Sequence, residues 1–164
     1  MSEQLALRVD DVSKHFGGLK AMRNVSLTLQ AGERISVIGT NGAGKSTLFN
    51  CIAGTFPATH GRIELFGEDV TKLPAAQRAR KGLARTFQTS RLFAPLPAAE
   101  NVFIPLGGNE FRGAWLAPSR ANPERWERVG RLLERVGLDG RGPNIVADLS
   151  HGEQRQLELA MALA

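Results

Sequence analysis

The chain has 164 residues, an apolar content of 42% and a formal net charge of +5, which suits one globular domain with a substantial core. Its single cysteine, Cys51, excludes an internal disulfide framework and favours a reducing compartment. The acidic start lacks the features of a signal peptide, and no stretch is apolar for the length of a bilayer. The basic residues are scattered, which favours a solvated face over the alternative of a nucleic-acid or anionic-lipid surface.

In the first half of the chain, hydrophobic periodicity predicts strands and helices around one glycine-rich turn. The predicted strands are residues 5–12, 25–29, 35–38 and 61–69. We expect the first two to form an antiparallel ribbon. The predicted helices are Lys45 to Ala53, ended by Gly54, and a segment that begins at Pro74 and is ended by Gly82.

The second half is predicted to be mainly helical after one more short apolar strand, residues 83–93. A helix led by Pro97 runs through Val102, and the Gly- and Pro-rich stretch 107–122 is predicted to be a loop. From Pro123 to Val136 apolar residues recur at helical spacing, and Gly137 ends that helix. This alternation predicts an α/β core with a helical insertion.

The strongest motif is the loop GTNGAGKST between the predicted third strand and the first helix. It matches the spacing GxxxxGK followed by Ser or Thr, in the strand–loop–helix context that a phosphate-binding loop requires. Glycines let backbone N–H groups turn toward phosphate oxygens, and the helix N-terminus adds positive potential. The alternative is a glycine turn that merely joins strand to helix. The predicted nucleotide-binding residues of the loop are Gly39, Thr40, Asn41, Gly42, Ala43, Gly44, Lys45, Ser46 and Thr47.

Two side chains of this loop indicate a magnesium nucleotide. Lys45 supplies a full positive charge for the β- and γ-phosphates, and the Ser46 hydroxyl is a hard oxygen ligand of the kind that Mg²⁺ prefers. The loop alone does not choose between ATP and GTP.

A second candidate anion site lies in the stretch LSHGEQRQLELA. Ser150 and Glu153 have the spacing of a capping box that opens an amphipathic helix. Gly152 removes side-chain bulk from the first turn, so a phosphate could approach a hydroxyl and free N–H groups there. Because this site has no lysine, we expect it to cap a nucleotide held by another subunit.

Together, GTNGAGKST and LSHGEQRQLELA resemble the ATP-binding cassette (ABC) family, and the likeness extends along the whole chain. The resemblance implies an α/β P-loop NTPase fold with an N-terminal antiparallel β ribbon subdomain and a helical insertion subdomain. It further implies that residues 1–164 are a single, incomplete nucleotide-binding domain. The ribbon and P-loop core would occupy about residues 1–87, and the Q-loop, helical subdomain and signature helix about residues 88–164.

The resemblance also assigns roles to individual residues. Phe16 matches the aromatic residue that stacks on adenine, and Gln88 matches the Q-loop glutamine, which with Ser46 would ligate Mg²⁺. The signature residues that would contact a partner's nucleotide are Ser150, His151, Gly152 and Glu153. Family members usually have glycine at position 151 and glutamine at position 153.

The stretches FGGLKAMRNVSL and RTFQTSRLF resemble the ATPase subunits of bacterial importers for branched-chain amino acids, and their urea or short-amide relatives. That likeness implies ATP and Mg²⁺ as cofactors, a second ATPase subunit in a homodimer or heterodimer, and two transmembrane permease subunits. It implies a cytoplasmic location on the inner face of the plasma membrane, with no nucleic-acid partner. The alternatives are a soluble ABC protein acting on nucleic acid and a noncatalytic, truncated remnant.

Hydrolysis in this family uses an aspartate and a glutamate at the end of an apolar strand and a later histidine. No apolar strand ending in Asp-Glu occurs in this sequence, and none of His15, His60 and His151 stands at the position of that histidine. We therefore assign no catalytic residue within the chain and expect these residues to follow Ala164. The chain alone is predicted to bind ATP without turnover and to be prone to aggregation.

Overall fold

The computed structural model describes residues 5–86, 92–107 and 122–164. The chain forms two compact units, Met1–Leu83 and Ala84–Ala164. In these described ranges, the first unit contains an antiparallel sheet with two α-helices, and the second contains three α-helices and the short 3-10 helix Val146–Asp148. Among the described residues, no helix has both the length and the apolar character needed to cross a bilayer.

A four-stranded sheet in the order β2-β1-β3-β4 forms the frame of the first unit. The long strands β1 (Leu5–Phe16) and β2 (Leu19–Gln30) are antiparallel, which confirms the predicted ribbon and extends both of its strands. The predicted strand 61–69 is instead a tight hairpin of β3 (His60–Leu65) and β4 (Glu68–Asp69). The hairpin turns at Phe66 and Gly67, both with positive φ, so the single strand that hydrophobicity suggested is broken there.

Two predicted strands are wrong in the part of the chain that is described. Residues 35–38 and 83–86 have no strand pairing, and Ile38 is 92% exposed. A strand exists only with a hydrogen-bonded neighbour, and within the described ranges no strand pairs with either segment. In the second segment, predicted as a strand over 83–93, residues 87–91 lie outside the described residues, and residues 92–93 are not in a strand.

Helix α1 (Lys45–Ala53) packs its apolar face on the sheet of the first unit, as its sequence predicts. Its buried residues Leu48, Cys51 and Ile52 join apolar side chains of the strands in one core cluster. The helix ends at Gly54, which has the left-handed φ of +72°. Helix α2 (Ala75–Arg80) follows Pro74, close to its predicted bounds.

Arg78, on α2, contradicts the expectation that the arginines form a solvated face, because it is only 1% exposed. Its guanidinium donates to the carbonyl oxygens of Cys51 (2.7 Å) and Ile52 (2.8 Å) in the last turn of α1. It also donates to the carbonyl oxygens of Leu73 and Thr71, each at 2.8 Å. The buried charge is therefore satisfied by backbone acceptors, including carbonyls that a helix end leaves without partners.

The second unit packs the helices α3 (Ala98–Leu106), α4 (Pro123–Arg135) and α5 (His151–Leu163) around a separate core. Helix α3 runs one turn beyond its predicted end. Asn122 caps the N-terminus of helix α4, and its side chain accepts a hydrogen bond from the Arg125 N–H (3.1 Å). The predicted apolar face of α4 is confirmed, with Val129, Leu132 and Leu133 buried. Most of the predicted loop 107–122 lies outside the described residues.

Candidate functional site

The glycine-rich loop leads into α1 through two glycines in the left-handed region. Gly42 has φ +84° and Gly44, at the N-cap of α1, has φ +86°. A Cβ added at Gly44 would lie 2.8 Å from the carbonyl oxygen of Ala21 on β2. Gly44 is thus required both by its backbone conformation and by the close approach of the ribbon.

The N-terminus of α1 is suited to bind an anion. No side chain caps this end, and its first turn contains no acidic residue. The first N–H groups of a helix have no intrahelical partners, and together with the helix dipole they favour a negative charge. Lys45 and Ser46 stand in this first turn, with Ser46 exposed. These residues therefore fit the phosphate groups of a nucleotide.

The Lys45 ammonium lies against the backbone of the loop itself. Its Nζ donates to the carbonyl oxygens of Gly39 (2.5 Å) and Thr40 (2.7 Å). The loop is closed further by the Ala43 N–H, which donates to the Thr40 carbonyl oxygen (3.2 Å). The cation is thus held beside the loop that the spacing predicts as a phosphate cradle.

Phe16, the predicted adenine contact, is the last residue of β1, and its ring is 46% exposed. It lies edge-to-face with Phe56, with ring centroids 5.2 Å apart and an interplanar angle of 83°. Phe56 is not among the residues predicted from the sequence, and its one sequence signal is its place two residues after the helix-ending Gly54. Gln88, the other predicted nucleotide and magnesium contact, lies outside the described residues.

In the second unit, the start of α5 forms the predicted capping box. The Ser150 hydroxyl accepts from the Glu153 N–H (3.3 Å), and Glu153 Oε2 accepts from the Ser150 N–H (2.8 Å) and hydroxyl (2.7 Å). Glu153 Oε1 also pairs with Arg141 Nε at 2.9 Å. The Ser150 hydrogen bonds, with a smaller effect of Arg141, lower the pKa of Glu153 from its ordinary value.

The two helix ends therefore differ in charge. The first turn of α1 has no acid, whereas that of α5 contains a carboxylate folded back onto its own cap. A Cβ added at Gly152 would meet no atom of the described residues within 4 Å, so packing in this part of the chain does not explain the glycine. His151 and Gly152 are both exposed.

A glycine-rich loop with this spacing that opens a helix is typical of a P-loop nucleotide-binding domain, and residues 35–38 before it have no strand pairing among the described residues. The ABC transporter family pattern matches residues 22–164, and the chain belongs to this family. Family membership implies nucleotide binding.

Curated relatives include the high-affinity branched-chain amino acid transport ATP-binding protein LivG of Salmonella typhimurium, 40% identical over 99% of this chain. The corresponding protein BraF of Pseudomonas aeruginosa is 38% identical over 96% of the chain. The chain spans 66% of the length of the first relative and 64% of the second.

Among solved structures, the ADP conformation of an ATP-binding cassette of an ABC transporter matches with a TM-score of 0.82 and 30% identity. That match covers 97% of this chain and 64% of the solved one. A nucleotide-free ATP-binding cassette matches over the same shares, with a TM-score of 0.80. The α/β cassette fold expected from the sequence is thereby confirmed.

Proposed function

We propose that this chain supplies the nucleotide-binding part of an ATP-hydrolysing subunit of a bacterial ABC importer. The observation that carries the proposal is the uncapped, acid-free N-terminus of α1, which presents Lys45 and Ser46 directly after the phosphate loop. The reaction of the complete subunit would be ATP + water to ADP + phosphate. We place residues 1–164 in one cassette domain.

The proposed ligand is ATP with Mg²⁺. The backbone of residues 39–47 and the Lys45 ammonium would hold the phosphates, and the exposed face of Phe16 would stack on the base. Ser46 and Gln88 would hold Mg²⁺, a hard cation that prefers oxygen ligands and would neutralise phosphate charge when bound. Phe16 and the loop belong to the same compact unit.

Residues 150–153 are proposed to contact the nucleotide of a second ATPase subunit, in a homodimer or heterodimer. The exposed Ser150, His151 and Gly152 support this role, as does a glycine that internal packing does not require. Glu153 would remain turned toward its cap and Arg141, which keeps its carboxylate from opposing a phosphate.

The proposed transport substrate is a branched-chain amino acid, because relatives with this transport in their names share 40% and 38% identity with the chain. Two transmembrane permease subunits would complete the importer, with this subunit on the cytoplasmic face of the membrane. An uptake assay tests this assignment. Co-expression of the full-length subunit with the two permease subunits of the importer should restore leucine uptake to a strain that lacks branched-chain amino acid transport. Restored uptake of urea without leucine would contradict the proposal that the substrate is a branched-chain amino acid.

Nucleotide binding is tested by calorimetric titration of ATP with and without Mg²⁺. Lys45→Ala should weaken ATP binding by about 10- to 150-fold, since it removes one charge-assisted contact to phosphate. The matched control is Lys72→Ala, at an exposed lysine of the same unit, which should leave the affinity unchanged. Equal ATP affinity in wild type and Lys45→Ala would overturn the proposal.

A further inference from the structure

At the end of β1, the ring of Phe16, which is expected to stack on the base, packs against the ring of Phe56. We propose that Phe56 and Lys14 are positioning residues that hold the ring of Phe16 for base stacking, and so set the base-dependent part of nucleotide affinity. This inference rests on the proposed function, in which Phe16 contacts the base.

The geometry joins three side chains into one platform, defined here as Lys14, Phe16 and Phe56. The two rings meet edge-to-face at 5.2 Å. The Lys14 ammonium lies over both of them, 4.9 Å from the Phe16 centroid and 5.1 Å from the Phe56 centroid. Edge-to-face packing and cation–π attraction both favour this arrangement over independent rings.

Backbone contacts fix the cation and the second ring in place. Lys14 Nζ donates to the carbonyl oxygen of Pro57 at 2.8 Å. The His15 N–H donates to Thr59 Oγ1 (3.0 Å), and the Thr59 N–H donates to the Ser13 carbonyl oxygen (2.8 Å). The segment that carries Phe56 is therefore tied to β1 beside the strand end that carries Phe16.

The same segment continues directly from the phosphate-loop helix. Gly54 ends α1 with its N–H donating to the Cys51 carbonyl oxygen (3.2 Å), and the Thr55 N–H donates to the Asn50 carbonyl oxygen (3.0 Å). Phe56 follows at once. Helix α1 and the residues up to Phe56 thus connect the phosphate loop to the ring that packs on Phe16. This connection sets the position of the base contact relative to the phosphate contact.

Among the described residues, the ring of Phe16 contacts Phe56 and Lys14. Phe16 is the final residue of its strand, and the turn that follows is Gly17 and Gly18, neither of which has an atom within 4 Å of an added Cβ. A half-exposed ring at such a place gains order from its neighbours, and a preorganised ring loses less entropy when a base stacks on it. Removing either neighbour should therefore weaken base binding and leave phosphate binding unchanged.

The test compares ATP with inorganic tripolyphosphate, which has the charge but no base, by calorimetric titration. Phe56→Leu should weaken ATP binding by about 2- to 13-fold and leave tripolyphosphate binding unchanged, while Phe56→Tyr should retain wild-type ATP affinity. Lys14→Met should weaken ATP binding by about 2- to 5-fold, and Lys14→Arg should retain it. The control is Phe66→Leu, at an exposed aromatic of the β3–β4 turn.

Each outcome bears on the proposal, provided that circular dichroism shows the variants folded. ATP affinity unchanged in Phe56→Leu and Lys14→Met, while Lys45→Ala still weakens ATP binding, overturns the platform and leaves the proposed function standing. An equal loss for ATP and tripolyphosphate shows a merely structural role and also overturns it. A wild-type protein that binds neither ligand contradicts the proposed function and the platform together.

Discussion

The replacement Arg78→Met removes a charge that the first unit has built into its core. The side chain is 1% exposed, and its four hydrogen bonds all end on backbone carbonyl oxygens. Methionine is apolar and flexible enough to fill the space, but it offers no donor. The substitution therefore removes the guanidinium donor from buried carbonyl oxygens in the last turn of α1 and from partly buried ones at Thr71 and Leu73.

The size of the effect follows from opposing contributions. Hydrogen bonds to a charged group contribute about 1.5–3 kcal/mol each, so four would sum to about 6–12 kcal/mol before any opposing effect. Desolvation of the guanidinium opposes this gain, and it is also the main cause that lowers the pKa of Arg78. Because each carbonyl oxygen left without a donor costs about 1–3 kcal/mol and relief of the desolvation offsets part of the sum, we expect a net loss of about 3–5 kcal/mol.

Urea unfolding followed by circular dichroism measures the change as a lower transition midpoint at a similar slope. Arg78→Lys should recover only part of the stability, because a single ammonium cannot match the planar fork of donors. Arg80→Met is the matched control, since Arg80 lies on the same helix and is exposed, and it should change the free energy of unfolding by less than about 0.5 kcal/mol. If Arg78→Met were as stable as Arg80→Met, the argument that the buried guanidinium stabilises this unit would be refuted.

Three further predictions concern single residues. Gly54→Ala should lower the free energy of unfolding by about 2–3 kcal/mol, because φ is +72° and the new Cβ would lie 2.8 Å from Arg78 Nε. Gly140→Ala, also at φ +72° but with open space around it, should show only the backbone effect of about 1 kcal/mol, and equal losses would contradict the steric argument. The pKa of Glu153 is lowered on folding, so its stabilisation is present above the unfolded pKa and is lost as the pH falls through the folded pKa. Acid titration should therefore destabilise the wild type more than Glu153→Gln, and identical pH profiles would count against the capping role. Burial raises the pKa of the Cys51 thiol, so an aromatic disulfide reagent should label it only after denaturant is added, and rapid labelling of the folded protein would show that the site is open.

Features that depend on neighbours in sequence were predictable in this protein. The phosphate loop, the helix that begins at Lys45 and ends at Gly54, and the capping box at Ser150 all involve groups only a few residues apart. Their geometry follows from local hydrogen bonding and from the φ values that glycine permits, so spacing alone indicates them. The ribbon was predictable from the apolar pattern of its two strands, but the predicted strands stopped short of the turn at Gly17 and Gly18 that joins them.

Only the tertiary structure decided features that join distant segments. No periodicity shows that Arg78 reaches Cys51 and Ile52, which lie 27 and 26 residues away, or that Phe56 packs on Phe16. Residues 35–38 have the composition of a strand yet no strand pairing, because pairing requires a neighbour as well as a propensity. The sequence by itself thus indicated the family and predicted the phosphate-binding loop, whereas long-range packing decided which charge is buried and which side chains pack around Phe16.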